Sequence, residues 1–209
     1  MKFFGFEIKR ATPYKDATKG FMGLNFGEVG RTPVTEKSAL SLSAYWAGVR
    51  RISESVALLP LDVIEKKGEL RKQVDHPSEY LLNKEANYKT ISFDFIQILI
   101  TSAINWGNGY AIIERDKSAN PISLTNVKSE SVKPIIYDEE LFWELSLQNS
   151  KNLLIPDRDI INLRGFGTDE ILGLSAIKYH AQNLGLSLAA QDYGADFYNK
   201  GTRLDGYIE

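Results

Sequence analysis

The sequence predicts an α+β fold in which helices pack on a mostly antiparallel β region, followed by a long helix. Three observations predict it: two helix-period apolar patterns between residues 41 and 105, a series of short strand-like runs between residues 110 and 164, and a helical pattern from Ser175 to Lys200.

Residues 1–37 read as a flexible N-terminal arm. Gly5, Gly20, Gly23, Gly27, Gly30, Pro13 and Pro33 interrupt it, and no period of 2 or 3.6 is sustained. It is either a loose terminus or an arm that lies on a neighbouring subunit, a role that Phe3, Phe4 and Phe6 would suit.

An α+β domain is expected over residues 38–174. Its first helix spans about Ser41 to Leu59, where Tyr45, Val49, Ile52, Val56 and Leu59 recur at spacings of three and four. Ser41 or Ser43 can cap this helix, and Pro60 stops it. A hairpin follows around Lys67-Gly68, with strands Leu61–Glu65 and Leu70–Val74. His76-Pro77 opens a short helix through Asn83, because proline suits a first helical position. A second main helix spans about Ser92–Asn105, and glycine in Gly107-Asn108-Gly109 supplies its left-handed cap. Strands are expected at Tyr110–Arg115, Ile122–Val127, Ser131–Tyr137, Leu141–Leu147 and Ile160–Arg164, separated by turn residues such as Asn120-Pro121 and Asn149-Ser150.

The last element, from about Ser175 to Lys200 with Gly201 ending it, would be roughly 37 Å long at the helical rise. Residues 202–209 begin a further segment, where Tyr207-Ile208 suggests a strand. At 100° per residue, Ile177, Ala181, Leu184, Leu188, Ala195 and Tyr198 share one side of this helix. Tyr179, Leu186, Ala190, Tyr193 and Phe197 share a second. Between them runs a stripe of Lys178, Gln182, Gly185, Ala189, Asp192, Asp196 and Lys200. Two apolar sides fit a helix flanked by identical neighbours in a ring, or a central helix buried by its own chain.

Composition narrows the function classes. With 43% hydrophobic and 25% charged residues in 209, the chain can bury a stable core and is not of disordered type. The absence of cysteine excludes disulfides and thiolate metal sites, and only two histidines, His76 and His180, make a zinc site a poor expectation. A formal net charge of -2 lacks the basic excess of a tight DNA-binding surface. The longest apolar run, Ile96 to Ile104, is too short to span a bilayer, and Met1–Arg10 lacks the features of a signal peptide. A soluble chain without a membrane partner is expected.

No motif for chemistry is complete. There is no P-loop, no dinucleotide-binding glycine pattern and no G-x-S-x-G elbow; Gly173-Leu174-Ser175-Ala176 lacks the final glycine. Asp157, Asp159, Asp169 and Glu170 form an acidic cluster in the sequence. It leaves open an alternative reading as a metal-dependent hydrolase or nuclease. Loop carboxylates more often cap helices or face solvent. Trp46, Trp106 and Trp143 are not interleaved with basic residues, which favours core packing over base stacking.

Several segments, in order, resemble the portal proteins of long-tailed bacteriophages, over about residues 38 to 209. Pro60-Leu61-Asp62-Val63 after the first helix looks like the family's "lPl-V". His76-Pro77, Leu81-Leu82, Asn87, Thr90 and Phe95 follow its "HP…LL…PN…T…F" run. Gly107, Asn108, Gly109 and Tyr110 match "GNAY". Asp159-Ile160-Ile161 through Arg164, then Gly173, Leu174 and Ser175, match "diiHi…GlSp", and Phe197 to Gly201 resembles "FF.NG". The chain departs from the pattern at Ala86, Gly109, Asn162 and Ala176, where the family favours Pro, Ala, His and Pro.

The resemblance implies a non-enzymatic subunit, without cofactors or metal, of a dodecameric ring at one capsid vertex. Such a ring is a conduit for double-stranded DNA in packaging and ejection, held in the virion and assembled in the host bacterial cytoplasm. Terminase, capsid protein and tail adaptor are the implied partners. Residues 38–174 would be the outer wing, residues 175–201 a stem helix, and residues 202–209 the start of the clip. Family chains are about twice as long, so this one looks truncated. Ile177, Leu184, Leu188, Leu186, Tyr193 and Phe197 would be interface residues. Lys178, Gln182, Asp192, Asp196 and Lys200 would face the channel, touching DNA weakly and without sequence preference.

Overall fold

The structure is a computed structural model that describes residues 2–3, 6–7, 12–14, 34–147, 151–167 and 169–199. Short strands β1 (Lys2–Phe3) and β2 (Phe6–Glu7) pair with each other. Strand β3 (Thr12–Pro13) joins a sheet far along the chain, opposite Ile136 and Ile135. Two parts of the segment expected as an arm are thus built into this chain: β3, and helix α1 (Glu36–Leu40) with its preceding cap. Thr35 and Ser38 form a reciprocal capping box there, satisfying backbone donors that a helix start leaves unpaired. Residues 15–33 of that segment lie outside the described residues, as do Asn149-Ser150, Lys200, Gly201 and Tyr207-Ile208.

Helix α2 (Ser43–Ala57) begins after Leu42, with no side-chain cap. The expected cap residue Ser41 instead ends α1. A hairpin of β4 (Ile64–Lys67) and β5 (Leu70–Gln73) turns at Gly68, whose φ of 62° is left-handed, and every residue of both strands is exposed. Helix α3 (Pro77–Asn83) starts at Pro77 and is capped by the His76 ring. A small bulged pair follows, β6 (Glu85–Asn87) and β7 (Thr90–Ile91). Helix α4 (Ser92–Trp106) ends at Gly107 with φ 92°, the left-handed cap expected from the sequence.

Strands β8 (Asn108–Arg115), β9 (Pro121–Val127), β10 (Val132–Tyr137), β11 (Glu140–Leu145), β12 (Leu153–Pro156) and β13 (Ile160–Arg164) form two sheets, ordered β13-β8-β9 and β12-β11-β10-β3. All pairings are antiparallel.

Alternation along β8 divides the core in two. Ala111 packs with Phe95, Leu99, Leu81 and Leu124 on the helical side. Tyr110 packs with Trp143, Leu145, Ile155 and Ile160 on the other. Cross-strand partners obey the same division: Tyr110 faces Val127, and Ile113 faces Leu124. The three-stranded sheet is therefore the middle layer, between the helices and the four-stranded sheet. Trp143, fully buried, meets Tyr110 with ring centroids 5.1 Å apart and donates its indole N–H to Asp157.

The C-terminal helical segment is not one rod. Helix α5 (Ala176–Tyr179) ends at His180, and α6 (Ala181–Asn199) begins after it. His180, at φ -101° and ψ 17°, leaves the α region, so the turn opens there. Its carbonyl then accepts from Leu184 to start the next helix.

Candidate functional site

Two features stand out: a knot of small residues that mounts the C-terminal helices, and the helix it mounts. At the knot, the chain leaving α4 crosses the segment leading to α5 at backbone contact. A Cβ on Gly107 would stand 2.2 Å from the Gly173 carbonyl oxygen, and one on Gly109 would stand 2.1 Å from that of Leu99. Real side chains do not fit at such distances, so glycine is required at both.

Asn108, almost fully buried, ties the crossing together. Its Nδ2 donates to Asn162 Oδ1 at 2.7 Å and to the Ile171 carbonyl at 3.0 Å, and its Oδ1 accepts from Gly173 N at 2.8 Å. Gly165 N donates to the Gly107 carbonyl at 2.7 Å. Ser175 Oγ donates to the Asn105 carbonyl and accepts from Lys178 N at 3.2 Å, so one hydroxyl caps α5 and pins it to the end of α4. Tyr45 donates from its hydroxyl to Asn105 Oδ1 at 2.8 Å, and burial pushes its phenol up to about 12. Burial also raises the Tyr110 phenol well above its ordinary range. The structure thus gathers Gly107, Asn108, Gly109, Gly173 and Ser175 around one crossing. Leu174 continues it by donating its N–H to Phe166 at 2.7 Å.

The acidic residues have separate structural partners. Asp157 accepts from Trp143 at 2.7 Å, and Asp159 pairs with Arg115 at 3.0 Å. Asp169, buried, accepts from Ile171 N and Leu172 N at 2.8 Å each and from the Tyr14 hydroxyl at 3.0 Å. Glu170 is exposed. Among the described residues no group of three or more His, Cys, Asp or Glu is placed to hold a metal ion. The hydrolase reading thus has no site in the described structure. Nor, among those residues, is any helix long and apolar enough to cross a membrane.

The two apolar sides of the C-terminal helices α5 and α6 have different fates. Ile177, Leu184 and Leu188 are buried against Ala39 and Leu42 of this same chain. That corrects the expectation that these three face a neighbour: α1, absent from the sequence-based prediction, covers them. On the opposite side Leu186 is 63% exposed, Tyr193 74% and Phe197 45%. Every described residue from Ala190 onward is exposed except Gly194, which is half-buried, so the second half of α6 projects from the body. Lys178, Gln182, Asp192 and Asp196 are exposed. The break at His180 takes Lys178 and Tyr179 out of phase with the α6 stripes.

This geometry describes a structural scaffold: a layered α+β body that holds out a helix with one apolar side uncovered. The chain belongs to the phage portal protein family, whose model matches residues 43–209. Among curated relatives it is 27% identical over 180 residues to the portal protein of Enterobacteria phage HK97, covering 85% of this chain and 42% of that protein. It is also 28% identical over 218 residues to the probable portal protein of Streptomyces phage phiC31, covering 98% of this chain and 46% of that protein. The chain therefore spans less than half the length of these relatives. A chain in the neck of an empty GTA particle, computed with C6 symmetry, shares the fold with a TM-score of 0.63 at 20% identity, covering 97% of this chain and 50% of that one. An HK97 family portal protein from Corynebacterium diphtheriae does so with a TM-score of 0.55 at 16% identity, covering 82% and 52%.

Proposed function

We propose that this chain is the wing and first stem helix of a portal subunit that assembles into a ring, a dodecamer when complete, at one capsid vertex. Residues 38–174 form the wing, the helices from Ser175 onward begin the stem, and residues 202–209 lead into the clip. The ring serves as the DNA conduit and as the docking point for terminase and tail adaptor, within the virion, after assembly in the host cytoplasm. It acts without catalysis of its own.

The observation that carries this reading is the uncovered side of α6, where Leu186, Tyr193 and Phe197 stay exposed while Leu184 and Leu188 on the opposite side are buried by this chain and only the projecting end, with Tyr198, is exposed all round. A heterologous contact repeated around an axis closes such surfaces into a ring. The neck of a native GTA particle, a relative in fold with a TM-score of 0.61, was computed with C12 symmetry, and that agrees with a ring of twelve. Gln182, Asp192 and Asp196 lie on the stripe between the two apolar sides and, with Lys200, would line the channel. A stripe of mixed polarity and low charge suits DNA that must slide, since strong phosphate pairing would retard it.

Negative-stain microscopy of the purified full chain tests the reading. Annular particles are expected. A chain that stays monomeric at high protein concentration would overturn it.

A further inference from the structure

A ring of identical copies needs two different complementary surfaces on each copy, one on each flank. The exposed side of α6 supplies one. The described residues hold a second apolar helical stripe left uncovered, on α2. Its sequence period counts Tyr45, Val49, Ile52, Val56 and Leu59 as one apolar face, yet only Val49 is buried and Tyr45 half-buried. Ile52 is 53% exposed, Val56 42% and Leu59 58%. Ile52 and Val56, at i and i+4, share one side of α2, and Leu59 follows two residues past the helix end, so the three make an exposed apolar run at the C-terminal end of α2.

The elements that carry the two apolar stripes differ in charge along the borders of those stripes. The segment from α2 through the β4–β5 hairpin, residues 43–73, carries six Lys and Arg against four Asp and Glu. Helix α6 carries Asp192 and Asp196 and no basic residue. Like-charged surfaces would repel, whereas these two attract, which favours α2 against α6 over α6 against its own copy. Within the hairpin, Lys66 stands directly opposite Arg71, and neither has an ion pair among the described residues. Such a like-charge cross-strand pair is unfavourable in isolation and eased by a nearby acidic surface.

Resting on the ring reading above, we infer that the Ile52–Val56–Leu59 run of one copy receives the Leu186–Tyr193–Phe197 side of α6 from the next copy, in a heterologous contact. A competing apolar groove, lined by Tyr80, Tyr88 and Ile122, lacks this charge complement: Glu85 takes the Tyr80 hydroxyl there.

The absence of native cysteine makes the test clean. Full chains carrying Val56→Cys alone, Tyr193→Cys alone and Tyr88→Cys alone are mixed in pairs and treated with a short bis-maleimide. All three positions are exposed, and thermal unfolding checks each variant's fold. The 56–193 mixture should give a heterodimer several-fold more abundant than either homodimer or the 88–193 product. A chain carrying both Val56→Cys and Tyr193→Cys should give a ladder of multimers. Ring particles with no excess of the 56–193 product would overturn this inference and leave the ring reading standing. A 193–193 or 88–193 product in excess would overturn it too. Monomers alone, without any intermolecular product, would overturn both.

Discussion

The Gly173 carbonyl oxygen occupies the space into which a side chain on Gly107 would grow, 2.2 Å from its would-be Cβ, and the Gly107 carbonyl blocks Gly173 in return at 2.1 Å. Gly107 also needs its φ of 92° to end α4. Gly107→Ala combines a left-handed backbone penalty of about 1–2 kcal/mol with overpacking of about 1–3 kcal/mol. A loss near 3 kcal/mol is expected in urea unfolding. Gly48→Ala, in α2 with nothing within 4 Å of its new methyl, should instead gain about 0.5–1 kcal/mol. Equal effects from the two changes would refute the account of the knot.

Asn108→Ala tests the tie rather than the close approach. It strands the Gly173 N–H and Asn162 Oδ1 in a part-buried site, where each lost partner costs about 1–3 kcal/mol, while the Ile171 carbonyl keeps its bond from Asn162 Nδ2. Chemical denaturation should show a drop in midpoint comparable to that of Gly107→Ala. A surface change such as Lys117→Ala should move it by less than about 0.5 kcal/mol.

Much of this knot was legible in sequence. Glycine after an apolar helix signals a left-handed cap, and His76-Pro77 signals a helix start; both stand where expected. Other elements hid for physical reasons. Strand β12 is the short run Leu153-Leu154-Ile155-Pro156, too brief for a period and closed by proline. Strand β3 includes Pro13, in a glycine-rich stretch that reads as loop. The break at His180 carries no proline or glycine to announce it. The two sides of α6 were visible, but which one its own chain covers depends on α1, whose five residues are too few to read as amphipathic.

Asp169→Ala should destabilise by about 2 kcal/mol or more, because the N–H groups of Ile171 and Leu172 lose their acceptor. Calorimetry with magnesium checks the rival role. Neither the parent chain nor the variant should bind at millimolar metal; saturable binding lost in the variant would restore the hydrolase reading.

The Tyr45 phenol is raised from 10.0 to about 12 by burial. A folded value above the unfolded one means stability is fully present below pH 10 and is lost as pH rises through 12. Ultraviolet titration of tyrosinate should show Tyr45→Phe removing a late-ionising group. Unchanged late absorbance in that variant would contradict the assignment.

The two sides of α6 should separate folding from assembly. Leu184→Ala on the buried side should cost about 2–4 kcal/mol. Tyr193→Asp with Phe197→Asp, on exposed positions, should leave thermal unfolding of the isolated subunit within a degree or two of the parent.

Sedimentation of the full chain beside that Tyr193→Asp, Phe197→Asp variant tests the central claim most directly. A concentration-dependent ring species in the parent, absent from an equally well folded variant, is the predicted result. Rings that persist undiminished in the variant would contradict the claim that the uncovered side of α6 joins one copy to the next.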